Sequence, residues 1–257
     1  MFDLILSQTK ILDQIQDIWI SGLLIFSRTL AFASTAPVIG HKGVPALVKI
    51  SFSILLTLIL MPLVSAPEEY PRGFKFIYLI VINVFIGMLI GWVSNLVLEI
   101  GKITGEMLDM QMGLNAATIF DIGNQSQSTI IGRFFDFLTL AIFVTIGGTE
   151  KVIEGFYKSY QTFPLVSYQL TYNVNKLIKA TSDIIGIGFM IAAPIIILLL
   201  AVDLVLGLMS RAAPQINAFQ ISFSIKPYIG ILFVLILLSA IFQILSNFLS
   251  EPMRFFY

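Results

Sequence analysis

The chain has 257 residues, of which 57% are hydrophobic and 12% charged, with no net charge and a mean hydropathy of +0.93. That composition excludes an ordinary soluble domain, in which about 25% of residues are charged, and the neutral balance gives no footprint for a nucleic-acid partner. Without cysteine, disulfides, thiolate nucleophiles and cysteine-ligated metals are also excluded.

Several long apolar runs point to an all-α, multi-pass membrane protein. The runs fall at residues 18–38, 50–64, 74–98, 130–146, 184–209 and 227–249. We expect about six long hydrophobic helices in one membrane-embedded unit. Asp3, Lys10, Asp13 and Asp17 are not a basic leader, and Arg28 interrupts the run before the cleavage-like Ala31-Phe32-Ala33. The first segment is therefore expected to be a retained helix. Pro37, Gly40, Gly43 and Pro45 mark the first turn, and Pro62, Pro67 and Pro71 the second. The polar stretches 151–160 and 173–182 read as short interfacial helices around Pro164, and Pro194 as a kink in the fifth segment. Lysine and arginine are more numerous on the side carrying both termini, which tilts the termini toward the cytoplasm.

Charges inside the apolar runs are the candidate chemistry. Arg28 costs about 2.5–3.5 kcal/mol at mid-membrane unless it finds a polar contact. It reads either as a structural arginine, paired with a carboxylate or helix-end carbonyls, or as a residue lining a conduit or touching a neighbouring subunit. Arg133 and Asp136, three apart, share a helix face and read as a self-neutralising pair. Asp203, in the proline-kinked segment, is the best single candidate for an ion site. His41 lies in the Gly/Pro turn, and one histidine without other ligands nearby does not make a metal site. No nucleophile elbow or phosphate-binding glycine loop is present, so no enzyme activity and no cofactor are expected.

Residues 105–128, GEMLDMQMGLNAATIFDIGNQSQS, are too polar to span lipid and too apolar for an ordinary solvated loop. On a helix, Ile103, Met107, Met110 and Leu114 share one face, and Lys102, Glu106 and Asp109 fall on another. Methionine repacks readily against different surfaces, and Gly113, Ala116, Ala117 and Gly123 allow close approach or unwinding. Two readings stand open: a movable constriction, or an amphipathic interfacial helix followed by a connector.

Three blocks carry a family resemblance: SRTLAFASTAPVIGHKGVPALVK at 27–49, GEMLDMQMGLNAATIFD at 105–121, and APIIILLLAVDLVLGLMSRAAPQINAF at 193–219. In their order and spacing the chain resembles the FliR family of flagellar biosynthesis proteins, whose injectisome counterparts are the SctT proteins. The likeness spans essentially the whole chain. It departs locally at Asp121-Ile122, where members often have Asp-Pro, and at Gly148-Thr149, where they often have Gly-His.

The resemblance implies a subunit of the type III export apparatus in the bacterial inner membrane, at the flagellar basal body. It implies assembly with FliP and FliQ into a gate for unfolded substrate proteins, with FlhB associated and FlhA and the cytosolic ATPase beneath. It also implies that the loop matching 105–124 plugs the channel. The expected plug or gate residues are Met107, Met110, Met112, Gly113, Asn115 and Phe120. Arg28, Pro37, Arg133, Asp136, Pro194, Asp203, Arg211, Pro214 and Gln215 are expected to be structural or intersubunit. The rival readings are a stand-alone secondary transporter or small channel, and a scaffold with no gating role.

Overall fold

Long runs of leucine, isoleucine, valine and phenylalanine leave the backbone to satisfy its own hydrogen bonds, and in an apolar setting a helix does so within one segment. The computed structural model describes residues 2–41, 43–65, 73–114, 130–166, 174–215 and 217–250, which contain helices and no strand. These are α1 (Phe2–Thr35), α2 (Ala46–Leu60), α3 (Phe74–Leu96), α4 (Glu99–Met112), α5 (Ile130–Thr145), α6 (Gly148–Thr162), α7 (Val174–Ala212) and α8 (Ala218–Leu249).

Four of them contain stretches long and apolar enough to cross a membrane: Asp17–Thr35, Phe74–Leu96, Ile178–Ala212 and Phe219–Leu249. The count becomes five if α5 and α6 act as one broken span. The expected six is thus corrected downward. The reason is length: α2 has 15 residues and α5 has 16, or about 22–24 Å at 1.5 Å per residue, against a hydrocarbon core of about 30 Å.

Two further boundaries differ from expectation. Residues 174–182 form no separate interfacial helix; they are the opening turns of α7, which runs without a break for 39 residues through Pro194. The polar stretch at 151–160 does form its own helix, α6. The last helix starts at Ala218, not at Pro227, which sits inside it. Neighbouring turns can re-satisfy the one backbone bond that a proline removes, so neither proline ends its helix.

The chain divides into two compact units, one holding α1, α2, α3 as far as Asn95 and α6 from Thr149, the other holding Leu96–Gly148 and α7 from Asn175 onward with α8. In the first unit, Leu24, Ile25, Arg28, Phe32 and Ala33 of α1 are buried, as are Leu79, Ile82, Ile86, Ile90 and Val93 of α3. Small residues set the approach: Gly87 lies against the backbone of Arg28, and Gly91 against Thr35 and the Phe32 carbonyl. Phe156 of α6 stacks on Phe32 with ring centroids 4.1 Å apart. On α2, the Thr57 hydroxyl meets that of Thr29 at 2.9 Å. Pro37 is buried just past the end of α1, in a turn where Val38 has φ 68°.

In the second unit, α4 and α5 form a close hairpin, and α8 packs against both. α7 joins through Thr104, whose hydroxyl donates to the Gly188 carbonyl at 3.3 Å. Much of α7 and α8 is exposed and apolar, including Ile197, Leu204, Leu208, Leu235 and Ile236.

Candidate functional site

Residues 115–129, and with them Asn115 and Phe120, lie outside the described residues, and α4 and α5 flank that stretch. The α4–α5 hairpin is built on missing side chains. Gly101 faces Thr139 and the Phe135 carbonyl, and a Cβ on Gly105 would stand 2.5 Å from the Cα of Gly132. The two backbones therefore run in direct contact.

That proximity lets Asp109 act across the pair. Its side chain is fully buried, and its Oδ2 accepts a hydrogen bond from the Gly132 amide at 2.7 Å. Gly132 is the third residue of α5, whose first amides have no partner within their own helix. A carboxylate at a helix N-terminus is favoured by the dipole and by the open donors. α4 thus supplies the cap for α5 across the hairpin.

The other end of α4 closes in a Schellman turn. Gly113 adopts φ 79°, donating to the Met110 carbonyl at 3.3 Å, while Leu114 donates to the Asp109 carbonyl at 3.0 Å. One face of α8 covers this turn. Phe223 lies against Gly113, and the Met112 side chain fills the space over Gly230. Between them, Lys226 Nζ donates to the Gln111 carbonyl at 3.5 Å and pairs with Asp203 Oδ1 of α7 at 2.5 Å. Gln111 Nε2 lies 3.5 Å from Asp203 Oδ2. Positions 223, 226 and 230 recur at helical spacing, which is why one face of α8 reaches all three partners.

The three methionines among the expected plug or gate residues lie in different surroundings. Ile103, Met107 and Met110 share a face of α4, with Met110 76% exposed and the other two intermediate, while Leu114 lies past the left-handed Gly113 that ends the helix. Met112 is buried instead, as core packing. Lys102 and Glu106 are exposed as expected, but Asp109 leaves their polar side for the buried α5 contact. Periodicity assigns Asp109 to the polar side because it counts residue type, and it has no knowledge of a helix N-terminus opposite.

The remaining candidates are scattered. Arg28, in the first unit, is fully buried: Nε and Nη2 both donate to Asn83 Oδ1 at 2.9 and 2.6 Å, and Nη1 to the Phe163 carbonyl at 2.9 Å. Its guanidinium lies 4.3 Å from the centroid of the Tyr160 ring. The helix-end carbonyl of the structural reading is present, while the carboxylate is replaced by an amide. Arg133 is exposed and Asp136 intermediate on α5. Asp203 is held by a lysine rather than standing as a lone ion site. Arg211 lies in the last turn of α7, where a cation suits the dipole, and Pro194, Pro214 and Gln215 are exposed. Among the described residues no cluster of His, Asp or Glu is arranged to hold a metal.

Sequence reasoning missed Asn83, Tyr160 and Lys226. The signal was available for the last: Lys226 is the one charge in α8, and Asp203 the one charge in the 184–210 stretch of α7. Isolated charges on apolar helices are expected to seek each other.

Comparison with known proteins follows the same outline. The family described as bacterial export proteins, family 1, matches residues 19–251. The flagellar biosynthetic protein FliR of Escherichia coli K12 is 31% identical over 249 residues, covering 91% of this chain and 95% of its own. FliR of Bacillus subtilis 168 is 27% identical over 250 residues, covering 95% and 96%. The surface presentation of antigens protein SpaR of Shigella sonnei is 27% identical over 184 residues, covering 71% and 72%.

Proposed function

The chain belongs to the bacterial export proteins, family 1, as a membrane subunit of a flagellar or type III export apparatus and not an enzyme, and from that premise we propose that it forms part of a channel for unfolded proteins and seals it. In this reading residues 105–128 are the plug. The subunit sits in the bacterial inner membrane at the flagellar basal body, assembled with FliP and FliQ homologues, with FlhB, FlhA and the rest of the apparatus alongside.

The observation that supports the reading is that the helices flanking 115–129, α4 and α5, are both anchored. Asp109 holds the start of α5 while α8 holds the end of α4. A segment that must yield to a passing polypeptide and then return needs fixed ends and a deformable middle. The open Met107–Met110 face beside it supplies soft apolar surface. The extensive exposed apolar surface of α7 and α8 suits burial against lipid or other subunits.

Deleting residues 113–120 tests the plug. The assembled complex should form in normal yield and become leaky to small ions, measured as potassium flux from vesicles containing it. An unchanged flux would sink the plug reading.

A further inference from the structure

The turn that joins α1 to α2 is built in a costly way. The Ile39 amide donates to the Pro37 carbonyl at 2.8 Å, closing a γ-turn on Val38, whose φ is 68°. γ-Turns of positive φ are rare and strained, and a β-branched residue is poorly suited to one. Among the described residues, Val38 alone combines a side chain with positive φ.

Its neighbours hold it there. The Gly40 amide returns to the Ala36 carbonyl at 2.8 Å, and a Cβ on Gly40 would stand 2.6 Å from that oxygen. Lys49 Nζ of α2 donates to the Gly40 carbonyl at 2.9 Å. His41 Nδ1 accepts from the Gly43 amide at 3.1 Å, and the Val44 amide donates to the His41 carbonyl at 3.1 Å. Strain of this kind persists only where the surroundings over-determine it, and it concentrates at ligand clamps and other working sites.

What the turn displays is an apolar tip on a basic corner. Val38 is 38% exposed, while Ala36 and Pro37 before it are buried. Lys49 draws the first turn of α2 to the same corner, where Leu47, Val48 and Ile50 are exposed, Leu47 at 76%. At 15 residues, α2 is too short to lay this apolar row across a hydrocarbon core. No carboxylate occurs between Asp17 and Glu68, a stretch that holds Arg28, His41, Lys42 and Lys49. Two surroundings suit such a corner. A lipid headgroup layer is fluid and asks for charge without asking for one shape. A turn locked into one costly conformation presents a fixed shape, which a folded protein surface can match.

We propose that the α1–α2 corner, with Val38 at its tip and Leu47 and Val48 beside it, is a docking surface for a partner subunit that offers an apolar pocket rimmed by a carboxylate. The proposal rests on the assembly with partner subunits set out above and is independent of the plug.

The test co-expresses the chain with its FliP and FliQ homologues, measures the yield of captured ternary complex, and melts the chain alone in detergent. Val38→Gly removes the tip and releases the turn, since glycine adopts positive φ without steric cost. We expect its melting midpoint to hold or rise and its complex yield to fall several-fold. Leu47→Ser, at a site with little internal packing to lose, should lower the yield likewise with the midpoint unchanged. His41→Asp places a negative charge there and still offers the Gly43 amide an acceptor, as aspartate does in turns. It should lower the yield more than His41→Asn, which keeps the acceptor without the charge.

Parental yields for Val38→Gly and Leu47→Ser overturn the docking surface, and a loss of co-purified phospholipid in those variants would then assign the corner to lipid. A midpoint that falls sharply in Val38→Gly shows the valine held for internal packing and overturns the proposal as well. Equal yields for His41→Asp and His41→Asn overturn the partner carboxylate. If the parent chain itself forms no complex, the assembly reading falls and takes this surface with it, whereas a parental complex beside unaffected variants removes the surface alone.

Discussion

Arg28 shows what one side chain can decide. A guanidinium fork with three donors engaged on one amide oxygen and one carbonyl binds α3 and the chain after α6 to α1. Asn83 completes the arrangement by donating to the Leu79 and Leu165 carbonyls. Arg28→Ala leaves the Asn83 oxygen and the Phe163 carbonyl without these donors, a cost of about 1–3 kcal/mol for each buried group. We expect a lower melting midpoint in detergent and a reduced yield of assembled complex, with the pattern of exported substrates unchanged. Lysine should not rescue it, since a single ammonium cannot reproduce the planar fork. Normal complex yield with altered export would instead place Arg28 in the conduit. That this arginine needed a polar partner was legible in the sequence. That the partner was Asn83 was not, because the two lie 55 positions apart and nothing local in the chain links them.

At the scale of elements, the α4–α5 hairpin carries the argument. Its closeness depends on Gly101, Gly105 and Gly132, and only that closeness brings Asp109 within reach of the α5 amides. Gly105→Ala forces one backbone off the other, because the new Cβ would meet main chain and not a flexible side-chain tip. We expect a loss of about 1–3 kcal/mol, the range for overpacking, together with partial loss of the Asp109 cap. Gly186→Ala is the control: its Cβ would meet nothing within 4 Å, so alanine there should leave the melting midpoint unchanged or raise it. Equal effects at the two positions would show that the tight crossing is not what organises the hairpin. Helical spacing placed Asp109 with Lys102 and Glu106, since spacing registers polarity and not the amides of a helix that begins 21 residues later.

For the whole molecule, the exposed apolar length of α7 and α8 is the governing fact. At 39 and 32 residues they reach about 58 and 48 Å, well beyond a hydrocarbon core of about 30 Å. Surface of that kind is suited to other subunits as well as to lipid. Co-expression with FliP and FliQ homologues should therefore yield a stable ternary complex, and this chain alone should behave poorly in detergent. A monodisperse, functional monomer that never binds them would return the stand-alone transporter to consideration. The sequence by itself determined the class of molecule, because composition and hydrophobic run length are local properties that no fold can change, and the blocks at 27–49, 105–121 and 193–219 carried the resemblance to the family. It also marked residues 105–128 as the part that fits neither lipid nor water. Only the tertiary structure decided which charges pair, which methionines face outward, and that Asp109 reaches the start of α5 while Lys226 reaches the end of α4. Those outcomes depend on close approach between helices far apart in the chain, and approach is set by the absence of side chains at a few glycines as much as by the presence of any residue.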